Sequence, residues 1–164
     1  MNVLRRTTVV LFAAALAAVG GCGFQLQGRQ PLPAVLAQVH LEPKDAQSEF
    51  TQALRAQLAS SGAALVPAAT AQAASVRILR DSIVERVLSV STRNIPTDYE
   101  LSYDVEVSVT AGGRELLAPE TFSLSRIYSF DETQLLAKER EKDILLQALA
   151  RDMASIVARR LAAL

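Results

Sequence analysis

From Tyr99 to Thr110 apolar and polar side chains alternate without a break. Tyr99, Leu101, Tyr103, Val105, Val107 and Val109 share one side, and Glu100, Ser102, Asp104, Glu106, Ser108 and Thr110 share the other. A period of two predicts a strand with one face on a core and one left polar. Such a one-sided strand belongs in an antiparallel sheet. Gly112-Gly113 comes next, and a glycine pair between alternating runs predicts a tight hairpin turn. Residues 114–128 return as a further strand, with Leu116, Phe122, Leu124 and Tyr128 in phase. Pro119 has no N–H to donate, which predicts an edge position or a bulge there.

Upstream, residues 75–91 are extended but change parity. Val76, Ile78, Val84, Leu88 and Val90 share one phase, while Leu79, Ile83 and Val87 hold the other. A bulge near Arg80-Asp81-Ser82 reconciles the two; burial of both faces is the alternative. Residues 92–98 form the turn that follows. A first, shorter strand is predicted over 35–41, where Val35, Ala37, Val39 and Leu41 alternate before Pro43 stops the run. A helix is predicted over 46–61 from the stripe of Phe50, Leu54 and Leu58. Asp45 or Ser48 can cap its start, and Gly62 suits the left-handed exit. Residues 63–66 have room for a short strand.

The last segment, Asp131 to about Ala163, is one long helical pattern. Leu145, Leu149, Met153, Ile156 and Leu164 follow helical spacing. Either Ser129-x-x-Glu132 or Asp131-x-x-Gln134 forms its capping box. Six consecutive charged residues, Lys138 to Asp143, offer no apolar face. The first part is therefore solvated or projecting, and the part after Ile144 packs on the sheet; a break near Lys142 is the alternative. Together these elements predict an α/β (α+β) fold. It is a two-layer sandwich, with two helices packed on one face of a mostly antiparallel mixed sheet of about four strands.

The first 21 residues change the picture. A basic head with Arg5 and Arg6, an apolar run from Thr7 to Val19 and the small residues Gly20-Gly21 make a secretory signal. The run is shorter than the ~20 residues that span a bilayer. Val19-Gly20-Gly21-Cys22 resembles a bacterial lipoprotein box, in which cleavage precedes the cysteine and acyl chains are attached to it. Cys22 is the only cysteine in the chain. The expected organisation is a cleaved signal peptide (1–21), a lipidated tether (22–34) with Pro31 and Pro33, and a single domain (35–164). Gly23 stands where an aspartate suggests inner-membrane retention, and by resemblance to Gram-negative lipoproteins this points to the outer membrane.

Cleavage removes two arginines and no acid, leaving 15 basic and 17 acidic residues, a formal charge of −2. That balance argues against a nucleic-acid partner. His40 is the single histidine and is read as an exposed strand residue. One histidine and one acylated cysteine exclude Cys/His catalysis and most metal sites. The glycine pair at 112–113 leads into no helix start, so it is a turn and not a phosphate cradle. Asp104 and Glu106, two residues apart on a polar strand face, are the remaining pair for acid–base chemistry. No enzyme activity and no cofactor are expected. Two basic positions can bind phosphate groups: Arg93 in the turn, and Lys138, Arg140 and Lys142 at the start of the long helix.

Cys22-Gly-Phe-Gln-Leu-Gln-Gly, Ser125-Arg126, Tyr128-Ser-Phe-Asp and Gln134-Leu-Leu-Ala-Lys-Glu-x-Glu resemble the LptE family of LPS-assembly lipoproteins. The stretch over 126–146 is the specific part. The resemblance implies a two-layer α/β fold and a partner, the large outer-membrane β-barrel LptD. In that family the lipoprotein plugs the barrel, assists its assembly and helps move lipopolysaccharide to the cell surface. It also implies lipopolysaccharide contact, placed by local alignment at Arg93 and Lys138. The turn at 93–98 departs from the family in carrying Asn-Ile-Pro. A free-standing periplasmic ligand-binding lipoprotein is the alternative function.

Overall fold

The computed structural model describes residues 31–164. The sheet has five strands, β1 (Gln38–Glu42), β2 (Ala64–Leu65), β3 (Ala74–Val90), β4 (Pro96–Ala111) and β5 (Arg114–Ser129), in the order β2-β1-β3-β4-β5. β1 pairs parallel to β2 and β3, and the rest is antiparallel. Two helices, α1 (Glu49–Ser60) and α2 (Leu135–Ala162), pack against each other and cover one face. This is the predicted two-layer α+β sandwich, with one strand more than the predicted four. The extra strand is the two-residue β2, in the place reserved for a short strand at 63–66.

The first element differs from its prediction. Ala34–Leu36 form a 3-10 turn, closed by Leu36 N–H on the Pro33 carbonyl at 2.8 Å, and the strand begins only at Gln38. The turn rotates Leu36 into the core and leaves Val35 exposed. Ser48, one of the two predicted caps, starts α1: its Oγ accepts from Thr51 N–H at 3.1 Å. Gly62 leaves the helix at φ +94°.

Odd-numbered residues Leu101 to Val109 of β4 are buried and the even-numbered ones are not, as the alternation predicts. Gly112 and Gly113 both have positive φ, +56° and +73°, the pair of left-handed conformations that a two-residue type I′ hairpin requires. β5 is an edge strand and is irregular around Pro119: Val107 faces Glu120, while Val109 faces Leu117. The one extra residue shifts the phase, so that Leu117, not Leu116, is the buried member. The turn between β3 and β4 spans 91–95, shorter than the predicted 92–98, because Pro96 already belongs to β4. Asn94 takes φ +60° there, a conformation asparagine tolerates better than most residues.

The parity change in β3 is a bulge. Ile78 faces Val107 and Arg80 faces Glu106, leaving Leu79 without a partner. Beyond it Asp81, Ile83, Glu85 and Val87 lie opposite Val105, Tyr103, Leu101 and Tyr99, on the helix-side face. Val84, opposite Ser102, therefore points to the open face, and Leu88 is left unpaired at a second register shift between Val87 and Ser89. The alternative of burial on both faces is not what forms: past Ile78 no residue of β3 is buried.

α2 runs unbroken through Lys142. Its 28 residues span about 42 Å at 1.5 Å per residue. Every fully covered residue lies from Leu149 onward, among them Met153, Val157 and Leu161. Asp131 caps the preceding 3-10 turn (Glu132–Gln134), accepting from Thr133 N–H at 2.9 Å and from Gln134 Nε2 at 3.1 Å. The Asp131-x-x-Gln134 pair is thus the one used. Leu149→Ala removes a buried side chain from the helix–sheet interface and costs about 2–5 kcal/mol. Leu136→Ala, at a position 75% exposed, costs under about 0.5 kcal/mol. Urea unfolding of the two variants checks this division of the helix.

Candidate functional site

The two sheet faces differ in chemistry. The open face carries Glu100, Ser102, Asp104 and Glu106, and its charges are mostly matched internally. Arg86 pairs with Glu100, Arg80 Nη2 lies 3.6 Å from Glu106, and Ser123 Oγ donates to Asp104 at 2.5 Å. Asp104, bonded by Ser123, and Glu106, paired with Arg80, thus engage different neighbours. His40, predicted exposed, is partly covered: its Nδ1 lies 3.2 Å from the Val66 carbonyl and ties β1 to the end of β2.

On the helix side, the bulge brings two carboxylates to β3 that a regular strand would turn outward. Asp81 accepts from Ser48 Oγ at 2.6 Å and from the Tyr103 hydroxyl at 2.8 Å. It thereby locks the cap of α1 onto the sheet. Burial, then the bond to Asp81, pushes the Tyr103 hydroxyl well above its ordinary pKa, so it stays a donor. Two turns of strand further, Glu85 accepts from the Tyr128 hydroxyl and from Lys142 Nζ. Burial pushes the Glu85 carboxyl up, but these two donors outweigh it and hold the group below its ordinary range.

Glu85, Tyr128 and Lys142 belong to an open cleft of about 220 Å³, lined also by Tyr99, Phe130, Leu135, Lys138 and Glu139. Its floor is aromatic. Tyr99 stacks on Tyr128 at 5.6 Å between centroids, and Phe130 meets Tyr99 edge-on at 5.5 Å. Lys138 and Lys142 reach it together because they are four apart on one helix face. Arg140, between them, does not line it. Lys138 is only 16% exposed and pairs with Glu141 at 2.8 Å.

Arg93 does not line this cleft. It sits exposed at the β3–β4 turn, which Ser91 closes by accepting from the N–H groups of Arg93 and Ile95. Pairing of Asp98 with Ser129, and Phe130 N–H on the Thr97 carbonyl at 2.8 Å, bring the start of α2 to this same end of the sheet. Arg93 and Lys138 are therefore neighbours by topology and not members of one pocket. Sequence reasoning missed Glu85 and the aromatic floor. The i, i+4 spacing of Lys138 and Lys142 was the available signal, but the bulge was needed to aim Glu85 at them. Cys22 lies outside the described residues. Among the described residues no helix is long and apolar enough to cross a membrane.

A family model described as "LptE: Lipopolysaccharide-assembly" matches residues 36–161, most of the chain. The chain belongs to the LptE family. Among curated relatives, the LPS-assembly lipoprotein LptE of Pectobacterium atrosepticum is 30% identical, the match covering 96% of this chain and 85% of that protein. LptE of Yersinia enterocolitica is 27% identical over 95% and 75%. Among solved structures, rare lipoprotein B from Shewanella oneidensis superposes with a TM-score of 0.69 at 27% identity, covering 77% of this chain and 94% of that one. Lipoprotein B from Nitrosomonas europaea gives 0.70 at 25% identity, over 86% and 91%. The two-layer sandwich is thus shared with these structures.

The Glu85 contacts make a pH prediction. A carboxyl held below its unfolded value stabilises the fold fully above the unfolded pKa, about 4.3 for glutamate, and loses that contribution as pH falls through the lowered folded value. At about pH 7 Glu85→Gln lowers stability by about 1 kcal/mol or less, the scale of a partly exposed pair. At about pH 2.5 the difference from wild type closes. Urea midpoints at both pH values check this, and a gap that persists in acid contradicts it.

Proposed function

We propose that this protein is an outer-membrane lipoprotein that plugs the LptD β-barrel, assists its assembly and takes part in moving lipopolysaccharide to the cell surface. Residues 1–21 are removed, Cys22 carries the acyl anchor, residues 22–34 are the tether and 35–164 form the plug. More than one acyl chain is needed for stable anchoring, and a lipoprotein cysteine supplies that.

The observation that carries this reading is the open sheet face. A domain buried in the lumen of a large barrel meets polar surroundings. Here the exposed face of β3, β4 and β5 carries a polar row, Glu100, Ser102, Asp104 and Glu106, beside exposed Val84 and Ile127, with Glu106 and Glu100 paired to Arg80 and Arg86 and Asp104 bonded by Ser123. Such a face enters a polar enclosure without stranding a charge. Membership of a lipopolysaccharide-assembly family supports the choice of partner and cargo. In this reading Arg93 and Lys138 contact lipopolysaccharide phosphates, and no residue acts as a catalyst.

Mild-detergent purification of the acylated protein from its own outer membrane tests the plug. A large β-barrel protein recovered in stoichiometric amount is the expected result; a clean monomer overturns it and favours a free-standing ligand-binding lipoprotein. Cys22→Ala should remove the acyl chains, read by mass spectrometry of the purified protein. Arg93→Asp with Lys138→Asp should weaken capture of lipopolysaccharide about tenfold or more, the scale of losing charge-assisted hydrogen bonds, while the barrel still co-purifies.

A further inference from the structure

The cleft at the start of α2 holds two ammonium groups, Lys138 and Lys142, and two carboxylates, Glu85 and Glu139, among its lining residues. Its charges balance. A cleft in this state has no net attraction for an anion, so any anionic ligand must compete with the carboxylates already there. Glu85 is the carboxylate engaged inside it, bonded at once by Lys142 Nζ and the Tyr128 hydroxyl. One cation and one neutral donor converging on an oxyanion is the arrangement that also suits a phosphoryl oxygen.

Two features separate this cluster from a plain tie between helix and sheet. The cleft beside it is open, about 220 Å³ against the ~10–15 Å³ that one water needs. In addition, Glu85 stands on the part of β3 that has no buried residue, and its side chain is 29% exposed. It can swing outward without disturbing the core. Half of the lining is apolar, from Tyr99, Tyr128, Phe130 and Leu135. That favours a phosphate carried on a larger body over free phosphate.

We infer that Glu85 is an internal counter-ion of this cleft, displaced from Lys142 and Tyr128 when a lipid-borne phosphate binds across Lys142 and Lys138. The inference rests on the proposed contact with lipopolysaccharide and adds Lys142, Tyr128 and Glu85 to it, the last as an affinity-lowering group. Its role is to keep Lys142 satisfied while the site is empty, as Glu141 does for Lys138, and to make the bound state readily reversible.

The test uses the full acylated protein in detergent with three probes: lipopolysaccharide, the same material with its phosphates removed, and inorganic pyrophosphate. Glu85→Gln keeps an acceptor for Tyr128 and Lys142 but removes the charge. It should tighten binding of intact lipopolysaccharide about fivefold to tenfold and leave the dephosphorylated material unchanged. Lys142→Gln should weaken binding by a similar factor. Tightening confined to lipopolysaccharide assigns a lipid-borne phosphate, and equal tightening of pyrophosphate keeps the counter-ion but assigns a free anion. Weaker or unchanged binding by E85Q, in a variant whose circular dichroism matches wild type, overturns the inference. Should wild type capture no lipopolysaccharide, the cargo proposed above fails. The counter-ion is then judged on pyrophosphate alone, where an unchanged E85Q overturns it.

Discussion

Leu79 is the residue left over between Ile78, opposite Val107, and Arg80, opposite Glu106, and the later half of β3 depends on it. A side-chain period of two means that one inserted residue turns every following side chain to the other face. Without the insertion, Asp81 would leave the cap of α1 and Glu85 would leave Tyr128 and Lys142. The open face would then gain two carboxylates beside Glu100 and Glu106, where like charges repel. Fold and cleft thus share one backbone irregularity.

Asp81 shows how local chemistry and tertiary packing meet. Ser48 is a helix cap by residue type alone, satisfying one N–H of the first turn. Its hydroxyl also donates to Asp81, which Tyr103 holds from the buried row of β4. Phe50, in the first turn of α1, meets the Tyr103 ring edge-on at 6.3 Å. Helix start, bulged strand and core strand are joined at this point. At the opposite edge, β5 turns Glu120 and Arg126 toward α2, where Arg160 and Asp152 meet them at 3.0 and 2.8 Å. Inward charges on an edge strand also discourage pairing with a stray strand.

The strands and helices were legible because their periodicities are strong. The twelve-residue alternation of β4 has no competing period, and Phe50, Leu54 and Leu58 mark α1 as clearly. The parity conflict in β3 announced a bulge near Arg80-Asp81-Ser82, and the register shift lies between Ile78 and Arg80. The 3-10 turn at Ala34–Leu36 was hidden because Val35 and Ala37 alternate with Val39 as strand residues would. Of the site, Lys138 and Lys142 were visible as a basic helix face. Glu85 and the Tyr99–Tyr128–Phe130 floor were not, since their convergence is set by register between strands distant in sequence. Arg93 was visible as a turn residue, but sequence alone did not show that the turn and the cleft occupy the same end of the sheet.

The sheet outruns its helical cover. Past Ile78, β3 keeps its ladder of backbone bonds to β4 but contributes nothing to the core, and Ile83, Val84, Val87, Leu88 and Val90 stay exposed. Hydrogen bonds without buried area behind them open at a lower free energy than the core. Amide protons of this half will therefore exchange with solvent in sub-global excursions that leave α1, the rest of the sheet and the later turns of α2 intact. A protein built this way has a rigid half that remembers its shape and a compliant half whose entropy is lost only when something else surrounds it. Whatever encloses that half supplies the ordering that the chain does not supply for itself.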